Sequence, residues 1–185
     1  PVEETETQEK TPGFSRGDST FAAGGAVVFG TADGTGLGVR GELGYELIQV
    51  AKLTVGAEFV YYGGENIDFG ALGTPLSVDY RVIEFNAIGH YRLFEQYAVT
   101  AYGIGGLGFA SLGADVQTNE TETAPTVEGQ SALAVHVGGG ADYAFSPELR
   151  AFAELRFSVY LGGGSDLGAE LSSNAQLGAG VRYSF

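Results

Sequence analysis

Between Leu37 and Leu47 the chain alternates. Leu37, Val39, Gly41, Leu43, Tyr45 and Leu47 are apolar or glycine, while Gly38, Arg40, Glu42, Gly44 and Glu46 lie between them. A period of two belongs to an extended strand, whose successive side chains leave on opposite faces. One face of this segment is therefore apolar and the other charged. The same period recurs eight times, at 21–29, 37–47, 53–62, 82–91, 97–109, 132–143, 149–161 and 174–185. A chain patterned this way folds as all-β.

The apolar positions of the eight segments number 47 and carry no charge. The opposite faces hold Arg40, Glu42, Glu46, Glu58, Glu84, Asp142, Arg150, Glu154, Arg156 and Arg182. Two architectures satisfy that division. In a soluble barrel or sandwich the apolar face points inward. In a membrane barrel it meets lipid, and the polar face fills the lumen.

Four observations favour the membrane solution. Connections alternate in length: Ile48–Lys52, Arg92–Gln96 and Ala144–Glu148 are short, whereas 63–81, 110–131 and 162–173 are long. Thr31–Gly36 fits this rule less well. Aromatic residues sit at the ends of the apolar sets. Phe21, Tyr45, Tyr91, Tyr97, Tyr143, Tyr183 and Phe185 fall at the short-turn end, and Phe29, Phe59, Tyr61, Phe109 and Phe157 toward the other, as two interfacial girdles would. Strands of this length tilted by about 40° span roughly 25–30 Å, the depth of the hydrocarbon layer. Finally, eight strands enclose a lumen that side chains must fill, and its charges here are of mixed sign and interleaved with glycine. A lipocalin-like soluble barrel would have to pack all 47 apolar side chains inside.

Composition removes other classes. Nine Lys and Arg against 23 Asp and Glu give a formal charge of −14, which excludes a generic nucleic-acid binder. The absence of cysteine excludes disulfides, thiolate metal sites and cysteine nucleophiles. No apolar run is long enough for a transmembrane helix. Pro1 points to a processed or trimmed chain, and no signal peptide precedes it.

The last nine residues, LGAGVRYSF (177–185), end an alternating strand on Phe185 with Tyr183 two before it. This resembles the terminal strand signal of bacterial outer-membrane barrels, and residues 18–185 resemble the eight-stranded OmpA/OmpX-type barrel class. The resemblance is one of architecture plus that terminal signal. It implies an up-and-down transmembrane barrel in an outer membrane and both termini in the periplasm. It also implies contact with outer-membrane lipids and lipopolysaccharide, and recognition of the last strand by the barrel-insertion machinery.

Residues 1–17 are polar without a period and read as a flexible periplasmic segment. The long connections are acidic: Asp33, Glu65, Asp68, Asp79, Asp115, Glu120, Glu122, Glu128, Asp166 and Glu170 face Arg81 alone. Divalent cations bridging these carboxylates to lipopolysaccharide phosphates are one reading, a merely solvated surface the other. No calcium-loop spacing is present, so neither a metal nor another cofactor is expected. Asn119-Glu120-Thr121 matches a glycosylation triplet without further support. Asp79 and Arg81 share the parity of outward Ile83, so they lie beyond the bilayer or a bulge flips the face.

Three functions remain. The first is a structural or interaction role, with the ten lumen charges paired among themselves because an unpaired buried charge is costly. The second is a small or gated pore lined by Thr54, Asn86, Thr100 and Gln176, which inward Tyr62, Tyr102, Phe152 and Tyr160 would plug. The third is lipid A acyl chemistry. His136 with Ser158 across a hairpin and Glu154 on the same face make a nucleophile–base–acid set on paper. The His-x-Ser pattern of lipid A deacylases is missing, since the sequence reads His136-Val137-Gly138, and His90 lies at the opposite end. The first reading, a non-enzyme, is the expectation.

Overall fold

Each alternating segment forms a strand in the computed structural model, which describes residues 21–30, 36–47, 52–64, 76–118, 127–161 and 173–185. In chain order these are β1 (Phe21–Gly30), β2 (Gly36–Glu46), β3 (Leu53–Gly64), β4 (Leu76–Gln96), β5 (Val99–Thr118), β6 (Val127–Ala144), β7 (Leu149–Leu161) and β8 (Ser173–Ser184). Every strand pairs antiparallel with its sequence neighbour, and β1 pairs with β8, so the sheet closes into a barrel. At the seam Phe185 donates its backbone N–H to the Phe21 carbonyl at 2.9 Å, and Phe21 donates back at 3.3 Å. A closed ladder leaves no edge, the condition under which extended backbone survives away from water.

The two faces separate by parity. Val27, Leu37, Phe85, Val137, Leu155 and Val181 stand on the exposed face, Phe85 at 62% and Val137 at 61% exposure. Soluble monomers seldom expose contiguous apolar patches beyond a few hundred Å². Here the apolar surface encircles the barrel. The charged parity points inward, where Arg156 keeps 1% of its surface and Glu84 none.

Several boundaries differ from the sequence expectation. Arg92–Gln96 is strand rather than connection. An extra residue between Arg92 and Phe94 makes a bulge, after which Phe94 pairs with Ala101 and the ladder runs on to Gln96 opposite Val99. The bulge interrupts the alternation, and that break reads as a turn. The hairpin is Tyr97–Ala98, so β5 opens at Val99, and Tyr97 takes a positive φ of 55°. Similarly, 63–81 and 110–131 are partly strand. β4 begins at Leu76, β5 runs to Thr118 and β6 starts at Val127. Outside the bilayer the outward parity turns polar (Ser77, Asp79, Arg81; Ser111, Asp115, Gln117), the reverse of the membrane zone, so these ends read as loop. The pairing of β4 with β5 is continuous from Leu76–Thr118 to Arg92–Tyr102, with no bulge near Asp79 or Arg81. Parity therefore holds there, and Arg81 is exposed. Residues 1–17, most of Thr31–Gly36, and Glu65, Asp68, Glu120, Glu122, Asp166 and Glu170 lie outside the described residues.

The extensions give the barrel one tall wall. β4, β5 and β6 have 21, 20 and 18 residues, against 10 to 13 in the other strands. β4 runs four residues past the end of β3 and β6 six past the end of β7, so at about 3.3 Å per residue and a tilt of about 40° the wall rises roughly 10–15 Å above them.

Glycines set how much side chain the interior accepts. A Cβ at Gly138 would overlap the Leu155 carbonyl and come within 2.9 Å of Arg156 Cα. One at Gly140 would lie 2.6 Å from the Ala153 carbonyl and 2.7 Å from Glu154 Cγ. These glycines make the room that Arg156, Glu154 and Tyr102 occupy. Gly140→Val should destabilise the refolded barrel by about 1–3 kcal/mol, the usual scale of overpacking. Urea titration in lipid vesicles reads the change.

Candidate functional site in the charged lumen

Arg156 on β7 lies at the centre of the interior. Its Nη1 donates to both Glu58 oxygens at 2.6 Å each, and its Nη2 and Nε donate to Glu154 Oε2 at 2.7 and 3.1 Å. Arg40 on β2 reaches the same Glu154 oxygen through Nη2 at 2.6 Å. Tyr102 donates its hydroxyl to Glu154 Oε1 at 2.8 Å. Arg182 on β8 donates through Nε to Glu42 and lies 3.4 Å from Glu154 Oε1. Its guanidinium stacks on Phe152, 4.5 Å from the ring centre, and Arg40 lies over the same ring at 5.3 Å. These residues come from β2, β3, β5, β7 and β8, so the network ties opposite walls together.

Toward the short-turn end, Arg150 donates to Asp142 at 2.6 Å and to Thr100 at 3.3 Å. Glu46 is buried near them, beside the same mouth cavity as Thr100 and Asp142. Toward the other end, Glu84 accepts from Tyr160 at 2.5 Å, Asn86 at 3.2 Å and Gln176 at 3.3 Å. Asn174 donates to the Tyr62 hydroxyl at 2.7 Å. Beside and beyond Glu84 the interior is partly apolar, a departure from the expectation of a polar lumen. Val28, Val60, Val82, Ala110, Ala132 and Ala134 pack with Tyr62 and Tyr160. These residues share the inward parity, but inspection of charge alone passes over valine and alanine.

The His136–Ser158 pair forms, with 2.8 Å between Nδ1 and Oγ. Glu154 does not complete it. His136 Nε2 instead meets Asn86 Oδ1 at 2.9 Å, and Glu154 is taken up by the arginines. Ser158 has no exposed surface, so no acyl chain reaches its hydroxyl as it stands. The arrangement is a buried hydrogen-bond chain, His136 to Asn86 to Glu58.

The aromatic residues singled out as girdles, Phe21, Phe29, Tyr45, Phe59, Tyr61, Tyr91, Tyr97, Phe109, Tyr143, Tyr183 and Phe185, are all on the exposed face. Some touch: Phe21 meets Tyr45 edge-on at 5.0 Å and stacks with Phe185 at 6.3 Å. Phe85, on the apolar parity expected of its segment, is exposed too, and Leu93, Phe94 and Phe145, which were not anticipated, join them. Phe85 continues a known parity and was legible. Leu93 and Phe94 sit at the bulge, and Phe145 in a turn, where no period marks the face.

This fold is that of bacterial outer-membrane barrels. A major outer membrane protein from Thermus thermophilus superposes with a TM-score of 0.71 at 14% identity, covering 91% of this chain and 100% of that one. The Neisserial surface protein A, NspA, gives 0.63 at 20% identity over 89% and 96%. The Yersinia pestis attachment invasion locus protein Ail, in complex with the heparin analogue sucrose octasulfate, gives 0.55 at 17% over 90% and 97%. No family model matches the sequence, and no curated protein is similar to it.

Removing a central cation leaves buried carboxylates facing each other. Arg156→Met should destabilise the barrel by about 3 kcal/mol, the scale of breaking a buried pair. Adding Glu58→Gln should restore part of the loss. Denaturant unfolding of both variants in vesicles reads the difference.

Proposed function

We propose that the protein is an integral barrel of the bacterial outer membrane with a structural or interaction role. One observation carries this reading: the apolar parity faces outward around the whole circumference, and the charged parity is buried and mutually bonded. In water such a surface would aggregate; in a bilayer it is solvated, and the lumen network stiffens the wall from within. The structural neighbours support the location.

The tall wall supports the interaction role. β4–β6 carry chain well past an ordinary bilayer's depth; Asp79 pairs with Asp115 in that extension, and Glu128 is near the start of β6. With the acidic connections at the same end, the surface suits a basic partner or cation-bridged lipopolysaccharide rather than a polyanion. In this orientation the short turns and both termini face the periplasm, and β8 with its terminal Phe185 is the segment the insertion machinery engages.

Catalysis is not part of this proposal, because the His136–Ser158 pair lacks both an acid and access. A steady pore is disfavoured by Tyr62, Tyr102, Phe152 and Tyr160, all buried across the lumen. In planar bilayers the purified chain should give no stable open steps; steady conductance would favour the pore instead. Location and orientation are read on cells. The chain should fractionate with the outer membrane. An epitope inserted within 119–126 should be stained on intact cells, and one at Pro147 only after permeabilisation. The opposite staining would reverse the assignment.

A further inference from the structure

Glu42 on β2, His90 on β4 and Glu154 on β7 converge in the short-turn half of the lumen. One ligand atom from each lies within 4.8 Å of the others. His90 Nε2 is 3.9 Å from Glu154 Oε1, and the two side chains are 10% and 0% exposed. The Glu42 side chain is 6% exposed. Two polar atoms of this group, Glu42 Oε2 and His90 Nε2, are buried without a hydrogen-bond partner. Buried polar atoms are nearly always satisfied, so two such atoms in one cluster point to a missing bridging group.

We propose that Glu42, His90 and Glu154 form a binding site for a divalent transition cation, with Zn²⁺ as the fitting ion. One imidazole nitrogen and two carboxylates suit zinc, whose bonds to such ligands are about 2.0–2.2 Å. Calcium takes six to eight oxygens, which three side chains do not supply.

Glu154 is the contested ligand: Arg40 and Arg156 hold its Oε2 and Tyr102 donates to its Oε1, the oxygen facing His90, so the ion shares Oε1 with the Tyr102 hydroxyl or displaces it. Arg182 bonds Glu42 through Oε1, which leaves Oε2 to the metal. Asp142 Oδ2, 3.9 Å from Arg182 Nη1, offers that guanidinium a second carboxylate if the ion displaces it from Glu154. Access is present as well. His90 lines a cavity of about 30 Å³ that reaches the short-turn end beside Lys52, Arg92 and Asp142. That volume holds a water next to His90, in reach of an ion as a fourth ligand. The site goes beyond the membrane role proposed above and does not depend on it.

The test uses the chain without a polyhistidine tag, refolded in detergent micelles. Calorimetric titration with Zn²⁺ alone should show one equivalent bound. Excess Ca²⁺ should leave that binding unchanged. His90→Gln should weaken it at least ~10-fold, with far-UV circular dichroism confirming an intact barrel, while Glu148→Gln in an exposed turn should not. Absorption at the zinc edge of the wild type should show a mixed nitrogen and oxygen shell, a readout that requires no variant. Absence of stoichiometric binding, equal affinity in His90→Gln, or an all-oxygen shell would overturn the proposal; the first of these means that water or a His90 proton bridges the cluster.

Discussion

Arg156 is held by two carboxylates at once, Glu58 on one side and Glu154 on the other, and almost none of it reaches solvent. The interior can be filled with charge only because such contacts satisfy it; each ion left alone there would cost several kcal/mol. The arrangement has a consequence outside the barrel. Once the ionic side chains are consumed within, every outward position is free to be apolar. Parity, lumen chemistry and surface chemistry are thus one constraint seen from three sides.

The interior is graded along its axis. Asp142 and Arg150 sit at the short-turn mouth, the arginine–glutamate cluster in the middle, tyrosines and amides around Glu84 next, and packed valines and alanines at the far end. Among the described residues Tyr62 and Tyr160 pack there with the valines and alanines, and β4–β6 run on past them. The cluster of Glu42, His90 and Glu154 lies between that middle cluster, of which Glu154 is part, and the short-turn mouth, where His90 lines the cavity.

Much of this was legible in the chain. Strict alternation from Leu37 to Leu47 fixes which face Arg40 and Glu42 occupy, and the structure places both inside. The His136–Ser158 contact followed from the hairpin near Pro147, since a tight turn sets register. What escaped was of two kinds. The bulge at Arg92 to Phe94 breaks the alternation, and at the ends of β4 and β5 the alternation is inverted, with Val78, Tyr80, Leu112 and Ala114 on the inward parity and Asp79, Arg81 and Asp115 on the outward one, so a search for an apolar outward face misses them. Partners across the lumen escaped as well. Parity says that Glu154 points inward but not that it meets Arg40 from β2 rather than a neighbour, nor that His136 turns to Asn86. Those choices depend on how strands face each other across the barrel, which no local pattern records.

The outward orientation of the apolar face is the claim on which the rest stands. A chain without cysteine allows a single spin label to be placed at will. Labels at Val137→Cys and Leu155→Cys, in protein reconstituted into lipid vesicles, should collide frequently with dissolved oxygen and rarely with a water-soluble nickel chelate. A label at Ser146→Cys in the β6–β7 turn should show the reverse. If the labels at 137 and 155 met the nickel reagent as readily as the turn does, the apolar face would stand in water, and the account would be contradicted.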